Sequence, residues 1–420
     1  MLPAQTDVLV VGAGPTGLTV AATLARQGVE VTVVDRASAP PVTSRAAVVH
    51  AYTLEVLDRI GVTAPLVARG LRASRFTVRD RDRVLLTLGF GDLPSTYPYA
   101  LLVSQSVTEA VLTERLAALG GQVHRPYQLT GLDHDGDRAV AGFADGTSVR
   151  ARWVVGADGM HSTVRDLAGI GFGGPADRGE SFLLADVRVN SVLPRDEVAL
   201  FLARPGPLVW APLPDGVVRL VAAVADAPRD PDAARLQALL DERGPTRRPD
   251  RVTDVLWSSR FRVHHRIADR YRRGRVLLAG DAAHVHSPAG GQGMNLGICD
   301  AVALGAALGD VLAGHPDTLL DDYAARRRPL AEEVVGFAAR LTRLATLPPA
   351  GRPLRDLALR AVSGMPPVRR RIALRLAGLQ QRATPPIGRT SGKPVGGSSA
   401  VDPTRGRQAG EPARGTPVTW

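Results

Sequence analysis

Three glycines at a fixed spacing, Gly12-x-Gly14-x-x-Gly17, are followed eighteen residues later by an acid, Asp35, with Arg36 beside it. Glycines placed this way let the chain turn sharply and bring bare backbone amides against a pyrophosphate on a helix N-terminus. An acid at the end of the next strand can accept hydrogen bonds from an adenosine ribose. The pattern points to dinucleotide binding and by itself does not separate FAD from NAD. Two further acid-bearing turns follow. One is Trp153-Val154-Val155-Gly156-Ala157-Asp158-Gly159. The other runs from Arg275 through Gly280-Asp281 and His284 to Pro288-Ala289-Gly290-Gly291-Gln292-Gly293-Met294-Asn295. Asp281 is suited to a ribose or ribityl hydroxyl. The amides near Gly291 to Asn295 sit at the positive end of a helix dipole, where they would stabilise negative charge on a flat ring.

These residues need elements to hold them. Asp7 to Val11 reads as a buried strand, Leu18 to Gln27 as a helix closed by Gly28, and Val31 to Val34 as a second strand. That is one βαβ unit, hence a parallel sheet. Val8 to Ala25 holds eighteen residues without a charge. Its three glycines and proline argue for strand, turn and helix, not a membrane span. Thr53 to Gly61, Ser106 to Leu119, Ser162 to Ala168, Gly293 to Leu312, Asp321 to Ala345 and Leu354 to Gln380 read as helices. Gly131 to Val149 reads as a meander turned at Asp135-Gly136 and Asp145-Gly146. Arg75 to Thr87 and Phe182 to Val224 read as strand-rich, the latter turned at Asp215-Gly216. Arg275 to Ala279 is another buried strand.

The predicted fold is therefore α/β. A Rossmann-like dinucleotide domain, with a parallel sheet and an antiparallel meander, is interleaved with an α+β domain of mainly antiparallel sheet. The expected segments are 1–72, 104–178 and 269–345 for the first domain, and 73–103 and 179–268 for the second. C-terminal helices follow at 346–382, and a disordered basic tail at 383–420.

The chain has 420 residues and a formal charge of +11. A single cysteine, Cys299, excludes an internal disulfide and a dithiol redox centre, and no zinc-ligand set is present. His284 and His286 lack a third ligand nearby, so no metal is expected. Thirteen basic and three acidic residues lie between Thr346 and Trp420, so the first 345 residues are nearly neutral. The basic stretch has no interleaved aromatics, so no nucleic-acid partner is expected. No membrane partner is expected either, and the N-terminus has no positively charged leader. A cytoplasmic protein is the expectation, and oligomeric state is not legible.

Taken in order, these three motifs resemble those of the class A FAD-dependent aromatic monooxygenases of the para-hydroxybenzoate hydroxylase fold, and most of all the aromatic polyketide hydroxylases. Thr53-Leu54-Glu55-Val56-Leu57-Asp58, Trp210-Ala211-Pro212-Leu213-Pro214 and Gly291-Gln292-Gly293-Met294-Asn295 carry the likeness over about residues 5 to 345. The resemblance implies that Gly12, Gly14 and Gly17 face the FAD pyrophosphate. It implies Asp35, with Arg36 following, at the adenosine ribose and Arg45 near the phosphates. Gln105 would be a further FAD contact, and Asp158 would serve both FAD and NAD(P)H. Asp281 would lie on the ribityl side, with Pro288, Gly290, Gly291, Gly293, Met294 and Asn295 beside the isoalloxazine ring. Longer polyketide hydroxylases add a thioredoxin-like third domain, which the tail here does not resemble.

The implied reaction uses FAD, NADPH or NADH, and O2. A flavin C4a-hydroperoxide delivers one oxygen to an electron-rich, phenolic ring, as in antibiotic biosynthesis. No side chain is assigned as catalytic base. With one GxGxxG site, NAD(P)H has no domain of its own and is expected to meet the flavin transiently. Phe90, Phe201 and Trp210 are candidate substrate linings. A Baeyer-Villiger or epoxidising oxygenase, an antibiotic-inactivating monooxygenase and a non-catalytic FAD-binding protein are the alternatives. A halogenase is disfavoured, because the only lysine, Lys393, lies in the tail.

Overall fold

The N-terminal apolar run forms the strand Gln5–Val11, whose Val8, Leu9 and Val10 have no exposed surface. A strand buried on both faces belongs in the middle of a sheet. It pairs in parallel with Val31–Val34 on one side and Ser148–Gly156 on the other. Ser148–Gly156 in turn pairs in parallel with Val276–Leu278. The long Ser148–Gly156 strand also closes an antiparallel meander with Leu129–Asp135 and Arg138–Phe143. Gly136 and Gly146 take the positive φ that these two turns require.

The computed structural model describes residues 1–40, 46–174, 181–224, 228 and 231–383. Within them run the helices α1 (Pro15–Ala25), α2 (Ala51–Asp58), α3 (Thr63–Ala68), α4 (Gln105–Ala118) and α5 (Thr163–Leu167). They continue as α6 (Ala233–Arg243), α7 (Gly293–Leu312), α8 (Thr318–Ala345), α9 (Arg352–Ser363) and α10 (Pro366–Leu376). The long apolar α7 is a core helix, with 72% of its most apolar stretch buried in the fold. It lies close on α1. A Cβ on Gly305 would stand 2.8 Å from the Thr23 side chain, and Gln27 Nε2 donates to the Gly305 carbonyl at 3.1 Å.

A second, seven-stranded sheet has the order Arg251–Arg262, Ser181–Asn190, Val217–Ala223, Gly206–Pro212, Glu197–Ala203, Arg75–Asp80, Arg83–Gly89. Its pairs are antiparallel except Glu197–Ala203 with Arg75–Asp80. Alternation gives it two distinct faces. Leu183, Ala199, Phe201, Leu208, Trp210 and Leu220 point to one face and pack with Leu236, Leu239 and Leu240 of α6. Asp186 and Arg219 lie on the other.

Several expectations shift. The helix expected from Leu354 to Gln380 is two helices, because Gly364 ends α9 and Pro366 and Pro367 start α10. The helix expected at Thr53 starts at Ala51, and α3 follows it. The tail expected from residue 383 falls, after Ala383, outside the described residues.

Asp250, just before the outer strand Arg251–Arg262, is 1% exposed. Burial pushes its carboxyl above the usual carboxylate range. Trp210 and Ser191 lean toward it, but among the described residues no side chain completes a hydrogen bond to either oxygen. An acid whose pKa is raised in the folded state binds its proton more tightly there, so it costs stability as pH rises past the unfolded value. We predict that Asp250→Asn raises the Tm by about 2 °C near pH 8. The gain should shrink as pH falls toward about 3, below the ordinary aspartate value, where Asp250 is protonated in both states. Calorimetric melts across this range check it, and a pH-independent difference would contradict it.

Candidate active site

The Gly12–Gly17 loop is shaped by close approach. Gly12 has φ +104°, and a Cβ there would lie 2.4 Å from the Ala157 carbonyl oxygen. A Cβ on Gly17 would lie 1.9 Å from the Gly12 oxygen. Gly14 is different: a Cβ there would meet nothing within 4 Å. Gly12 and Gly17 therefore serve packing, and Gly14 leaves bare backbone open at the start of α1. Among the described residues no side chain caps that helix, so its first amides are suited to an anion.

Asp35 sits at the edge of this loop. Its Oδ2 accepts from the Ala13 amide at 2.8 Å and its Oδ1 from the Ala37 amide at 2.8 Å. Arg125 Nη1 pairs with Oδ1 at 2.8 Å. A carboxylate has about four acceptor sites, so a ribose hydroxyl still finds one. Arg36 is exposed beside it. Gln105 opens α4, and its Oε1 accepts from the Ala46 amide at 3.3 Å while its Nε2 donates to Glu109 at 2.9 Å. Burial raises the Glu109 carboxyl above its usual range. Arg45 lies outside the described residues. Arg125 was not legible as a site residue, since nothing in its local sequence marks it.

The Asp158 side chain turns inward. Ser162 Oγ donates to its Oδ1 at 2.5 Å and the Val164 amide to its Oδ2 at 3.1 Å. It thus ties the start of α5 to the residue behind Gly12, and burial raises its carboxyl. Asp281 is exposed, on a turn whose Gly280 has φ +62°. A Cβ on Gly280 would lie 2.4 Å from Thr16 Oγ1, and one on Gly297 of α7 2.6 Å from the same atom. The Asp281 turn and the start of α7 are thereby held against the start of α1.

The loop from Pro288 to Asn295 is fixed from behind. His50 Nε2 donates to the Gly290 carbonyl at 2.9 Å. Burial lowers the His50 pKa to about 4, so it is neutral at physiological pH. Gln292 Nε2 donates to the carbonyls of Gly290 and Leu376, each at 3.0 Å. Asn295 Nδ2 donates to the Val48 and Gly291 carbonyls, and its Oδ1 accepts from the His50 amide at 2.8 Å. Asn295 is thus a staple, and what the loop presents is backbone. Among the described residues no side chain caps α7. Met294 is half-buried against the main core. Behind the Asp281 turn, His284 Nε2 lies 2.6 Å from Asp300 Oδ2, and Arg327 Nε 2.5 Å from Oδ1. Burial alone would raise Asp300, but Arg327 and His284 outweigh it and hold the carboxyl below its usual range. His284 is thus a buried hydrogen-bond partner of Asp300, and no metal-like cluster occurs among the described residues.

The three expected substrate linings are core residues. Phe201 and Trp210 are 0% and 1% exposed on the face beneath α6, and Phe90 is 3% exposed in the apolar cluster that also holds Leu376. The opposite face of the sheet carries a different set. Arg219 donates to both oxygens of Asp186 at 2.7 and 2.6 Å, and Trp257 Nε1 donates to Asp186 at 2.8 Å. Arg219 Nη1 also donates to the Ala46 carbonyl at 2.8 Å, which ties this face to the stretch that meets Gln105 at the start of α4. The Phe182 and Phe261 rings stack beside it, 5.5 Å apart.

A family model described as FAD binding domain matches residues 5–338. The chain is 40% identical over 387 residues to 6-methylpretetramide 4-monooxygenase of Streptomyces rimosus, covering 89% of this chain and 69% of that protein. Among solved structures it is similar to the OxyS anhydrotetracycline hydroxylase from Streptomyces rimosus, with a TM-score of 0.75 and 36% identity, over 89% of this chain and 76% of that one. It is also similar to p-nitrophenol 4-monooxygenase PnpA from Pseudomonas putida, with a TM-score of 0.80 and 28% identity, over 90% and 99%.

The contrast between two glycines is testable without any substrate. Gly14→Ala should leave the apoprotein Tm within about 1 °C, because its Cβ enters open space, yet weaken FAD binding about tenfold or more. Gly17→Ala should destabilise the apoprotein itself by about 1–3 kcal/mol. Denaturant melts of both apoproteins, with flavin titrations, check this. Equal stability losses would refute the division of roles.

Proposed function

Since this chain belongs to the FAD binding domain family and is a FAD-dependent aromatic hydroxylase, we propose that its substrate is a phenolic polyketide of the kind named for its tetracycline-pathway relatives. In the overall reaction, an aromatic C–H, O2, NAD(P)H and a proton give a phenol, water and NAD(P)+. One oxygen atom enters the ring and the other leaves as water. Bound FAD supplies the electron transfer and oxygen activation that no amino-acid side chain can provide.

The residues fit that group. The open backbone at Gly14 and the uncapped start of α1 take the pyrophosphate. Asp35, held by Arg125 and two amides, takes the adenosine ribose, with Arg36 and Gln105 nearby. Asp281 takes a ribityl-side hydroxyl. The uncapped start of α7, with Gly290, Gly291, Gly293 and Met294, presents positive dipole to the electron-rich edge of the ring. Pro288 accepts from the Gly291 amide at 2.9 Å, which keeps this loop tight. Arg45 and Asp158 complete the proposed set, Arg45 at the phosphates and Asp158 by propping the Gly12 turn. The interleaved domain would place substrate on the sheet face that bears Arg219, Asp186 and Trp257. A planar phenol matches the Phe182–Phe261 stack there. No side chain is required as base, because a phenol activates its own ring. We place the reaction in the cytoplasm, where its nicotinamide reductant is made.

The observation that carries this reading is the convergence of both uncapped helix starts and the Asp281 turn on Thr16. Two experiments test it. Incubation with NADPH, 18O2 and a panel including 6-methylpretetramide and anhydrotetracycline should give a product heavier by one 18O atom. NADPH consumption without labelled product from any aromatic polyketide would refute the substrate class. Asp281→Ala should weaken FAD binding by roughly 1.5–3 kcal/mol, read by fluorescence titration, and an unchanged affinity would remove Asp281 from the site.

A further inference from the structure

α9 carries large apolar side chains on the side away from any core. Leu354 is 72% exposed and Leu357 63%, with Met365 at 50% and Val368 at 39% beside them. Leu354, Leu357, Ala358 and Ala361 recur at three- and four-residue steps and form one exposed stripe. The inner side of α9 already has its partners, since Leu359 and Val362 pack on the cluster beneath. A helix apolar on both sides calls for cover on both. Near the end of α8, just before α9 in the chain, Leu344 is also 39% exposed.

The surroundings say what kind of cover. Between Arg340 and Leu376 the sequence holds nine arginines and one acid, Asp356. That acid is occupied, because Arg355 Nε donates to it at 2.8 Å. Arg340 and Arg343 of α8, Arg360 of α9, and Arg370 and Arg371 of α10 are all exposed. A second copy of this chain would bring two such clusters together, and like charges at an interface repel. A tight protein interface usually centres on aromatic anchors, and the exposed stripe has only Leu, Met, Val and Ala. Aliphatic side chains rimmed by arginines suit a bilayer surface instead. The stems lie along the apolar zone, and the guanidinium groups reach lipid phosphates.

We propose that the α9–α10 face docks reversibly on an anionic lipid surface. This is surface association, not spanning, since the one described helix apolar enough to span, α7, is largely buried. It departs from the expectation of no membrane partner drawn from the sequence. The sequence pattern alone reads α9 as an ordinary packed helix, and only the structure shows its stripe in solvent. Docking would also reach the site, because the Leu376 carbonyl at the end of α10 holds Gln292, and the Ala377 carbonyl accepts from the Tyr52 amide at 3.2 Å.

The test uses the full chain loaded with FAD and sedimented with vesicles. One set is phosphatidylcholine alone, and the other contains one-third phosphatidylglycerol. Binding is expected to the anionic vesicles only, and it should fall steeply when salt is raised to about 0.5 M. The double variant Leu354→Glu/Leu357→Glu should bind about tenfold less. Both residues are exposed and outside the cofactor site, so FAD content and turnover should match the wild type. Three results would overturn the proposal. The first is no binding to anionic vesicles at low salt. The second is undiminished binding by the double variant, which would move the attraction to the basic residues after Ala383. The third is a wild-type dimer by light scattering that the variant converts to monomer, which would give the face to a second copy.

Discussion

Half-buried at the start of α1, the Thr16 side chain has a bare glycine packed against it from each of two other elements. Gly280 and Gly297 both approach its side chain so closely that a Cβ would overlap it, and Gly17 approaches Gly12 as tightly. These contacts force the start of α1, the Asp281 turn and the start of α7 to one point. Two helix starts without side-chain caps then sit side by side. Each presents unpaired amides and positive dipole. A surface built this way is complementary to a ligand with negative charge at two separated places. A pyrophosphate and an electron-rich flavin edge meet that description.

Polar groups buried behind this surface keep it from relaxing. Asp300 holds α7 to α8 through Arg327 and to the Asp281 turn through His284. Asn295 and His50 join α7 to the residues before α2, and Gln292 reaches α10. Such networks are costly when one partner is lost, because a buried group is left unpaired. The loop that would face the ring and the helix that follows it are therefore positioned by four other stretches of chain. Arg219 plays the corresponding part for the second sheet, bridging Asp186 and the Ala46 carbonyl.

How much of this was legible depended on how local the cause is. The glycine motif, the parallel βαβ unit and the bounds of α7 follow from residues adjacent in sequence. The structure has them where the pattern puts them. Phe201 and Trp210 show the limit. Alternation says that they share a face, but which face meets α6 and which meets the cofactor side is a tertiary fact. Arg125, Arg219 and His50 likewise act across gaps of 90, 173 and 240 residues. The same holds for α9, whose apolar stripe looks identical in sequence whether it is covered or not.

The central claim is that one surface reads the whole dinucleotide: pyrophosphate at α1, adenosine ribose at Asp35, and ring at α7. Calorimetric titration of the apoprotein with FAD, FMN and riboflavin separates those contributions. FAD should bind at least about a hundredfold more tightly than riboflavin, or roughly 2.7 kcal/mol, with FMN between them. Equal affinity for FAD and riboflavin would contradict it, because the glycine loop and Asp35 would then contribute nothing to cofactor recognition.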